Sequence, residues 1–211
     1  MTTIAVLGSG AVAQTLTGGL QHIGHRLLVG ARDPQRVRFE ECRDLRATGL
    51  REAAGSAEVV VNTLPGIVSV EVLTALGAEL AGKVLIDVAN AVESDARGFA
   101  SAVRYPGGSL AEEIQRALPE ARVVKTLNTV HVSLMSRPAQ ASIPPSAFLS
   151  GDDAEAKRIA AELLGDLGWP PEWIIDLGGV KTARGPESFV LMIGDLVRAL
   201  GPVPFGMAIA R

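Results

Sequence analysis

Cysteine, aromatic residues and strong net charge are all scarce in this chain. Of 211 residues only Cys42 is a cysteine, so no disulfide forms within the chain, and no Cys/His spacing offers a zinc site. Aromatic residues make up 4%, which leaves the core to Ala, Val, Leu and Ile, while 23 glycines permit close backbone approach. A formal net charge of −3 argues against nucleic acid or an anionic membrane as the main partner. No segment reaches about 18 uninterrupted apolar residues, so no membrane span is expected. Met1-Thr2-Thr3 leads directly into an apolar run, without the basic region and long apolar stretch of a secretion signal. The expected location is the cytoplasm.

What is present is an alternation of apolar runs and helical patterns. Hydrophobic residues make up 47% and charged residues 20%, enough for a full core and too apolar for disorder. Ile4-Ala5-Val6-Leu7 reads as a buried strand, followed by a glycine-rich turn and a helix to about Ile23. Arg26–Gly30 reads as a second strand, and Asp33-Pro34 as the N-cap and first residue of another helix. Val59–Thr63 and Val84–Asp87 are further strands, separated by a helix from about Val68 to Leu80. Continuous apolar strands with helices between them imply a parallel sheet covered on both faces. Residues 91–108 read as a loop. Ser109-Leu110-Ala111-Glu112 is a capping box that starts a helix to about Leu118. Arg122–Thr126 and Ala147–Ser150 are strands, with a proline-containing loop over 133–146 between them. A helix over 154–167 stops at Gly168, and a last one runs from near Pro186 to about Leu200. No linker appears, so residues 1–130 read as the dinucleotide-binding core and 131–211 as a small α/β extension packed on it.

Gly8-Ser9-Gly10-Ala11-Val12-Ala13 fits G-x-G-x-x-G/A between a first strand and a helix. The first glycine allows the tight turn, the second lets a pyrophosphate approach the backbone, and Ala13 lets the helix pack on the strand. The helix N-terminus then presents free N–H groups and a positive dipole end to the phosphates. About twenty residues on, where an NAD-binding fold carries an acid for the ribose 2′-hydroxyl, this chain has Gly30-Ala31-Arg32. A guanidinium there suits the 2′-phosphate of NADP, and Arg36 stands one helical turn further on. Two other readings stay open. Both arginines belong to a solvated helix start, or Asp33 serves as a displaced NAD acid. Thr63-Leu64-Pro65 and Ala89-Asn90 follow the next two strands and line the same cofactor. Asn90 either hydrogen-bonds the nicotinamide end or initiates a turn.

The usual proton-transfer machinery is missing. The only tyrosine, Tyr105, has Ser109 four residues on, so no Tyr-x-x-x-Lys pair exists, and no G-x-S-x-G elbow or metal-binding histidine pair is found. His22 and His25 flank the end of the first helix in turn or packing roles. His131 either faces the cleft or is an ordinary loop histidine. Lys125 and Asn128 sit at the carboxyl end of a strand, where open α/β sheets place ligands. Each either takes an active-site role or is an end-of-strand residue. No catalytic acid or base is assigned; Asn128 and His131 are the candidates for one, and Lys125 or Asn128 would assist if the acceptor were a small carbonyl or imine.

Taken together, these motifs resemble the coenzyme F420-dependent NADP reductases. The resemblance runs over nearly the whole chain: Ile4–Gly10, Gly24–Arg32, Val84–Asn90, Val123–Thr129 and Phe148–Ala156. It implies a Rossmann doubly wound sheet, with NADP on the glycine loop and residues matching Ala31, Arg32 and Arg36 around its 2′-phosphate. It further implies a deazaflavin, coenzyme F420, over the nicotinamide, and hydride passing directly between the two rings. Such chemistry needs positioning and water exclusion more than an acid or base. A flavin, a ferric chelate, or a small carbonyl or imine is the alternative acceptor, and a non-catalytic NADP(H)-binding module is the alternative of another class. Arg97, Arg104, Arg137 and Arg184 are available for an anionic acceptor tail. The apolar stretches Phe189–Ile193, Leu196-Val197 and Val203–Met207 exceed what one face of a surface helix needs. They are expected to roof the ring cleft, to bury a homodimer interface through the C-terminal helix, or both.

Overall fold

The computed structural model describes residues 1–21, 23–39 and 45–210; His22, Cys42, Glu40 to Asp44 generally, and Arg211 lie outside them. Among the described residues the strands are β1 (Thr3–Leu7), β2 (Arg26–Ala31), β3 (Ala47–Gly49), β4 (Val59–Asn62), β5 (Val84–Asp87), β6 (Val92–Ser94), β7 (Ala100–Val103), β8 (Arg122–Lys125), β9 (Ala147–Ser150) and β10 (Ile174–Gly178). The α-helices are α1 (Ala11–Leu20), α2 (Leu50–Ser56), α3 (Gly66–Thr74), α4 (Gly77–Leu80), α5 (Leu110–Ala117), α6 (Ala154–Asp166), α7 (Arg184–Ser188) and α8 (Ile193–Leu200). None of these helices is long and apolar enough to cross a membrane.

Eight strands form one sheet in the order β10-β9-β8-β5-β4-β1-β2-β3. From β3 to β8 every pairing is parallel, and this is the 3-2-1-4-5-6 order of a Rossmann sheet. The chain reverses its direction of travel across the sheet between β1 and β4, which places the ligand crevice at their carboxyl ends. β9 joins β8 in the opposite sense through Lys125 and Ser150, and β10 pairs parallel to β9. The extension therefore prolongs the sheet.

Alternation along β1 shows how the core is divided. Ile4 and Val6 point into an apolar layer with Leu16, Leu20, Leu163, Leu164 and Trp169, under α1 and α6. Ala5 and Leu7 point the other way, to Ala53, Leu73, Leu80, Leu110 and Ile114 under α2 to α5. Both faces are covered, which is why the strands carry no polar face.

Several local expectations need correction. After β2 no α-helix starts at Pro34: residues Pro34–Arg36 make a single 3-10 turn, and the Asp33 side chain caps no backbone N–H. Its carboxylate is taken by the Arg36 guanidinium at 2.9 Å. The helix from Val68 to Leu80 is two helices, α3 and α4. Residues 91–108 hold the antiparallel hairpin β6–β7, closed where Asp95 accepts from the backbone N–H groups of Arg97 and Phe99. The last helix begins at Arg184 and passes through a 3-10 segment, Phe189–Met192, before α8. The Ser109 N-cap forms as read, with the hydroxyl accepting from the Glu112 N–H at 3.1 Å, while the Glu112 carboxylate takes the Ser109 hydroxyl and Arg184. His25 packs beside α6, its Nε2 2.8 Å from Asp166 Oδ2.

Candidate functional site

The turn after β1 is shaped by a backbone conformation and a close approach at Gly8 that only glycine permits. Gly8 has φ +129°, a conformation L side chains avoid, and its N–H donates to the Gly30 carbonyl at 2.9 Å. A methyl at Gly8 would press on Thr63, whose carbonyl oxygen lies 3.0 Å from the Cβ position. Thr63 in turn donates its hydroxyl to Leu7 O at 2.8 Å, tying the end of β4 to the end of β1. Gly10 is the N-cap of α1; no side chain caps this end, no acid stands in its first turn, and a Cβ at Gly10 would meet open space. The result is a bare backbone cradle at a positive helix end, the chemistry a pyrophosphate requires.

From this cradle a cleft of about 1030 Å³ extends along the carboxyl ends of the parallel strands. Gly8, Ser9, Gly10, Ala11, Val12, Ala31, Arg32, Thr63, Leu64, Pro65, Ala89, Asn90 and Asn128 all line it, and so does His131. Arg36 does not: its side chain is 87% exposed and paired with Asp33. Arg32 is exposed at the mouth, with no ion pair among the described residues. Sequence reading missed several apolar walls of the cleft, among them Leu50, Ile67, Val68, Val72, Val130, Val132 and Met135. Ile193 brings the start of α8 over the site, one of the two roles foreseen for the apolar C-terminal run.

At the far end Asn90 and Asn128 form a reciprocal pair. Asn90 Nδ2 donates to the Asn128 carbonyl at 3.0 Å, and Asn128 Nδ2 donates to Asn90 Oδ1 at 3.0 Å. Just before Asn128, Leu127 has φ +58°, a left-handed backbone at a residue whose side chain is 2% exposed. His131 has a local role as well, since its Nδ1 accepts from the Ser133 N–H at 3.3 Å and lies 2.9 Å from the Ser133 hydroxyl. Its own N–H donates to Phe205 O at 2.8 Å, and Met207 N–H to Thr129 O at 3.0 Å. The tail beyond α8 thus pairs as an antiparallel bridge with the cleft segment.

Lys125 does not line the cleft. Its Nζ lies 2.7 Å from Asp87 Oδ2 and 2.9 Å from Glu187 Oε1, and it also donates to the Ala89 carbonyl. Burial alone would push this ammonium down, but the Asp87 and Glu187 carboxylates outweigh it and hold it above the ordinary lysine range. Glu187 was not foreseen, and nothing in its neighbourhood, Arg184-Gly185-Pro186-Glu187, marks it as buried. Of the four arginines considered for an anionic tail, Arg97, Arg104 and Arg184 are paired with Asp95, Glu93 and Glu112. None of the four lines the cleft.

Comparison with known proteins agrees with this geometry. A family model described as "NADP oxidoreductase coenzyme F420-dependent" matches residues 3–91. A solved structure, a candidate F420-dependent NADP reductase from Arthrobacter sp. FB24, is 39% identical, with a TM-score of 0.92 over 100% of both chains. The F420-dependent NADP reductase of Methanothermobacter marburgensis is 29% identical over 92% of this chain and 91% of its own length. Metalloreductase STEAP3 of Rattus norvegicus is 29% identical over 90% of this chain, which spans only 36% of that protein.

Proposed function

We propose a function for the cleft from one premise: the chain belongs to the coenzyme F420-dependent NADP oxidoreductases. It is an oxidoreductase that binds NADP(H) and moves hydride between it and a flat redox partner, coenzyme F420 in the first instance. The observation that carries this reading is the continuity of a single cleft from Arg32, past the Gly8–Gly10 cradle, to the Asn90–Asn128 pair.

The residues present fit the cofactor. The bare N-terminus of α1 suits a pyrophosphate, and Arg32, exposed and without an ion pair among the described residues, suits a 2′-phosphate as a fork of charge-assisted hydrogen bonds. When bound, NADPH would supply a hydride to the deazaflavin carbon, with the accompanying proton drawn from solvent rather than from a side chain of the protein. The chain's own part is to bind, orient and exclude water. Val130, Val132, Met135 and Ile193 give the far end an apolar wall, and Asn90 and Asn128 hold each other's amides in fixed orientation. This reading locates the enzyme in the cytoplasm. It also makes it a homodimer through the C-terminal helix, where Leu191, Met192, Leu200 and Val203 stand exposed.

Anaerobic mixing of the purified protein with NADPH and F420 tests the assignment, with bleaching of the deazaflavin absorbance as the expected result. The match to a metalloreductase favours a ferric chelate, with a flavin, as the second acceptor to try. Reduction of either in place of F420 moves the assignment there. Tight NADPH binding with no acceptor reduced leaves the binding module as the reading.

A further inference from the structure

A closed polar cluster lies beneath the wall of the cleft. Asp87, Lys125 and Glu187 have side chains 0%, 1% and 7% exposed, and they come from β5, β8 and α7. Lys125 bridges the two carboxylates. The remaining bonds of the cluster run to backbone groups and to the Asn62 side chain. Asp87 Oδ1 accepts from the Ala89 N–H at 3.2 Å, and Lys125 donates to the Ala89 carbonyl, so both polar groups of one cleft residue are held from below. Asp87 Oδ1 also accepts from Asn62 Nδ2 at 2.8 Å, and Asn62 Oδ1 takes the N–H of Leu64 at 3.2 Å. Asn62 reaches Ser69, whose hydroxyl donates to the Pro65 carbonyl at 3.1 Å. Leu64, Pro65 and Ala89 are all cleft residues. On its other side Glu187 accepts the N–H groups of Leu110 and Ala111 at 2.7 and 3.1 Å, at the start of α5.

A buried ion cluster is a poor source of stability, because desolvation offsets most of the attraction and apolar residues of equal volume serve as well. What it supplies is fixed geometry. Here that geometry is the backbone beside the Asn90–Asn128 pair, and Glu187 adds the distance to α7. The segment that follows α7 carries Ile193 over the cleft.

We propose that Lys125, clamped between Asp87 and Glu187, is a positioning residue for the nicotinamide end of the cleft, setting Ala89 and through it Asn90 against Asn128. The proposal rests on the reading of the cleft as an NADP(H) site. It predicts an effect confined to one half of the ligand. Binding of NADPH and of 2′,5′-ADP, which lacks the nicotinamide half, is measured by calorimetry for the wild type, Glu187→Gln and Lys125→Met. Glu187→Gln is isosteric and keeps one of the two oxygens that accept the α5 N–H groups, so it is the milder variant, and melting curves of each protein show whether it is folded before binding is measured. The expected result is a loss of fivefold or more for NADPH, with 2′,5′-ADP within twofold of wild type. Equal losses for both ligands, or a lowered melting temperature with both affinities unchanged, would overturn the proposal and leave the cluster a purely structural one. Wild-type protein that binds neither ligand overturns it together with the reading beneath it.

Discussion

In the proposed NADP(H) site, the end of the cleft marked by Arg32 offers backbone N–H groups and an exposed guanidinium. The end marked by Asn90 and Asn128 offers amides held by one another and underpinned by buried charges. On that reading the first end selects by charge, with a guanidinium that makes no ion pair among the described residues. The second selects by geometry, where removing one group leaves others unsatisfied in a low-dielectric interior. Substitutions at the exposed end should therefore change affinity alone, and those at the buried end should change fold and affinity together.

The largest break in this contrast is expected from Gly66→Ala. Gly66 opens α3 against the backbone of Asn90 and Ala91, and a methyl there would overlap the Asn90 carbonyl. Backbone cannot give way as a side-chain tip can, so a cost of about 3 kcal/mol, the upper end of overpacking, is expected. Thermal melting should show it as a drop of roughly 10 °C, and NADPH binding should fail in the protein that remains folded. Retained binding at wild-type affinity would mean that Asn90 moves freely, against the picture of a rigid end. Arg32→Ala comes next. It should weaken NADPH by about 1–3 kcal/mol, the range for losing a charge-assisted contact, with little change for NADH and none in melting temperature. Equal effects on both cofactors would remove the 2′-phosphate from Arg32. The smallest effect belongs to Arg36→Ala, because that side chain stands outside the cleft in an exposed pair with Asp33. Less than about 0.5 kcal/mol on either cofactor is expected by titration, and a loss matching that of Arg32 would show that Arg36 leaves Asp33 when a phosphate is present.

The same contrast governs what the sequence disclosed. The exposed end was legible because its chemistry is local: strand, G-x-G-x-x-A loop and helix follow one another within twenty residues, and Arg32 closes the next strand. The buried end was legible only in part. Asn90 and Asn128 stand at strand ends and so drew notice, but Glu187 lies 62 residues from Lys125 and only folding joins them. Local reasoning also failed where strands are short and their residues small. β6 and β7 carry Val92-Glu93-Ser94 and Ala100-Ser101-Ala102-Val103, too brief for a periodic signal. β10 follows Pro170-Pro171, which reads as a breaker, and α2 buries only Ala53 and Ala54. By contrast β9 and the Ser109 cap were readable to the residue, because an apolar tetrad and a capping box are complete signals in themselves. Arg36 stands outside the cleft in this structure, on a single 3-10 turn rather than a helix and paired with Asp33.

Leu127 brings a last consequence, for how freely this chain can drift. Its backbone, at φ +58°, is one that glycine adopts without strain, whereas its side chain is buried among the apolar residues under α1 and α6. Glycine would relax the turn and vacate the core; valine or isoleucine would refill the core and collide with the turn, since branching at Cβ tolerates positive φ least. Alternatives acceptable to both demands are few, unbranched at Cβ and near leucine in volume. Position 127 is therefore a narrow gate in sequence space, standing one peptide bond from Asn128, so that mutational change can reach the amide pair more easily than the residue that aims it.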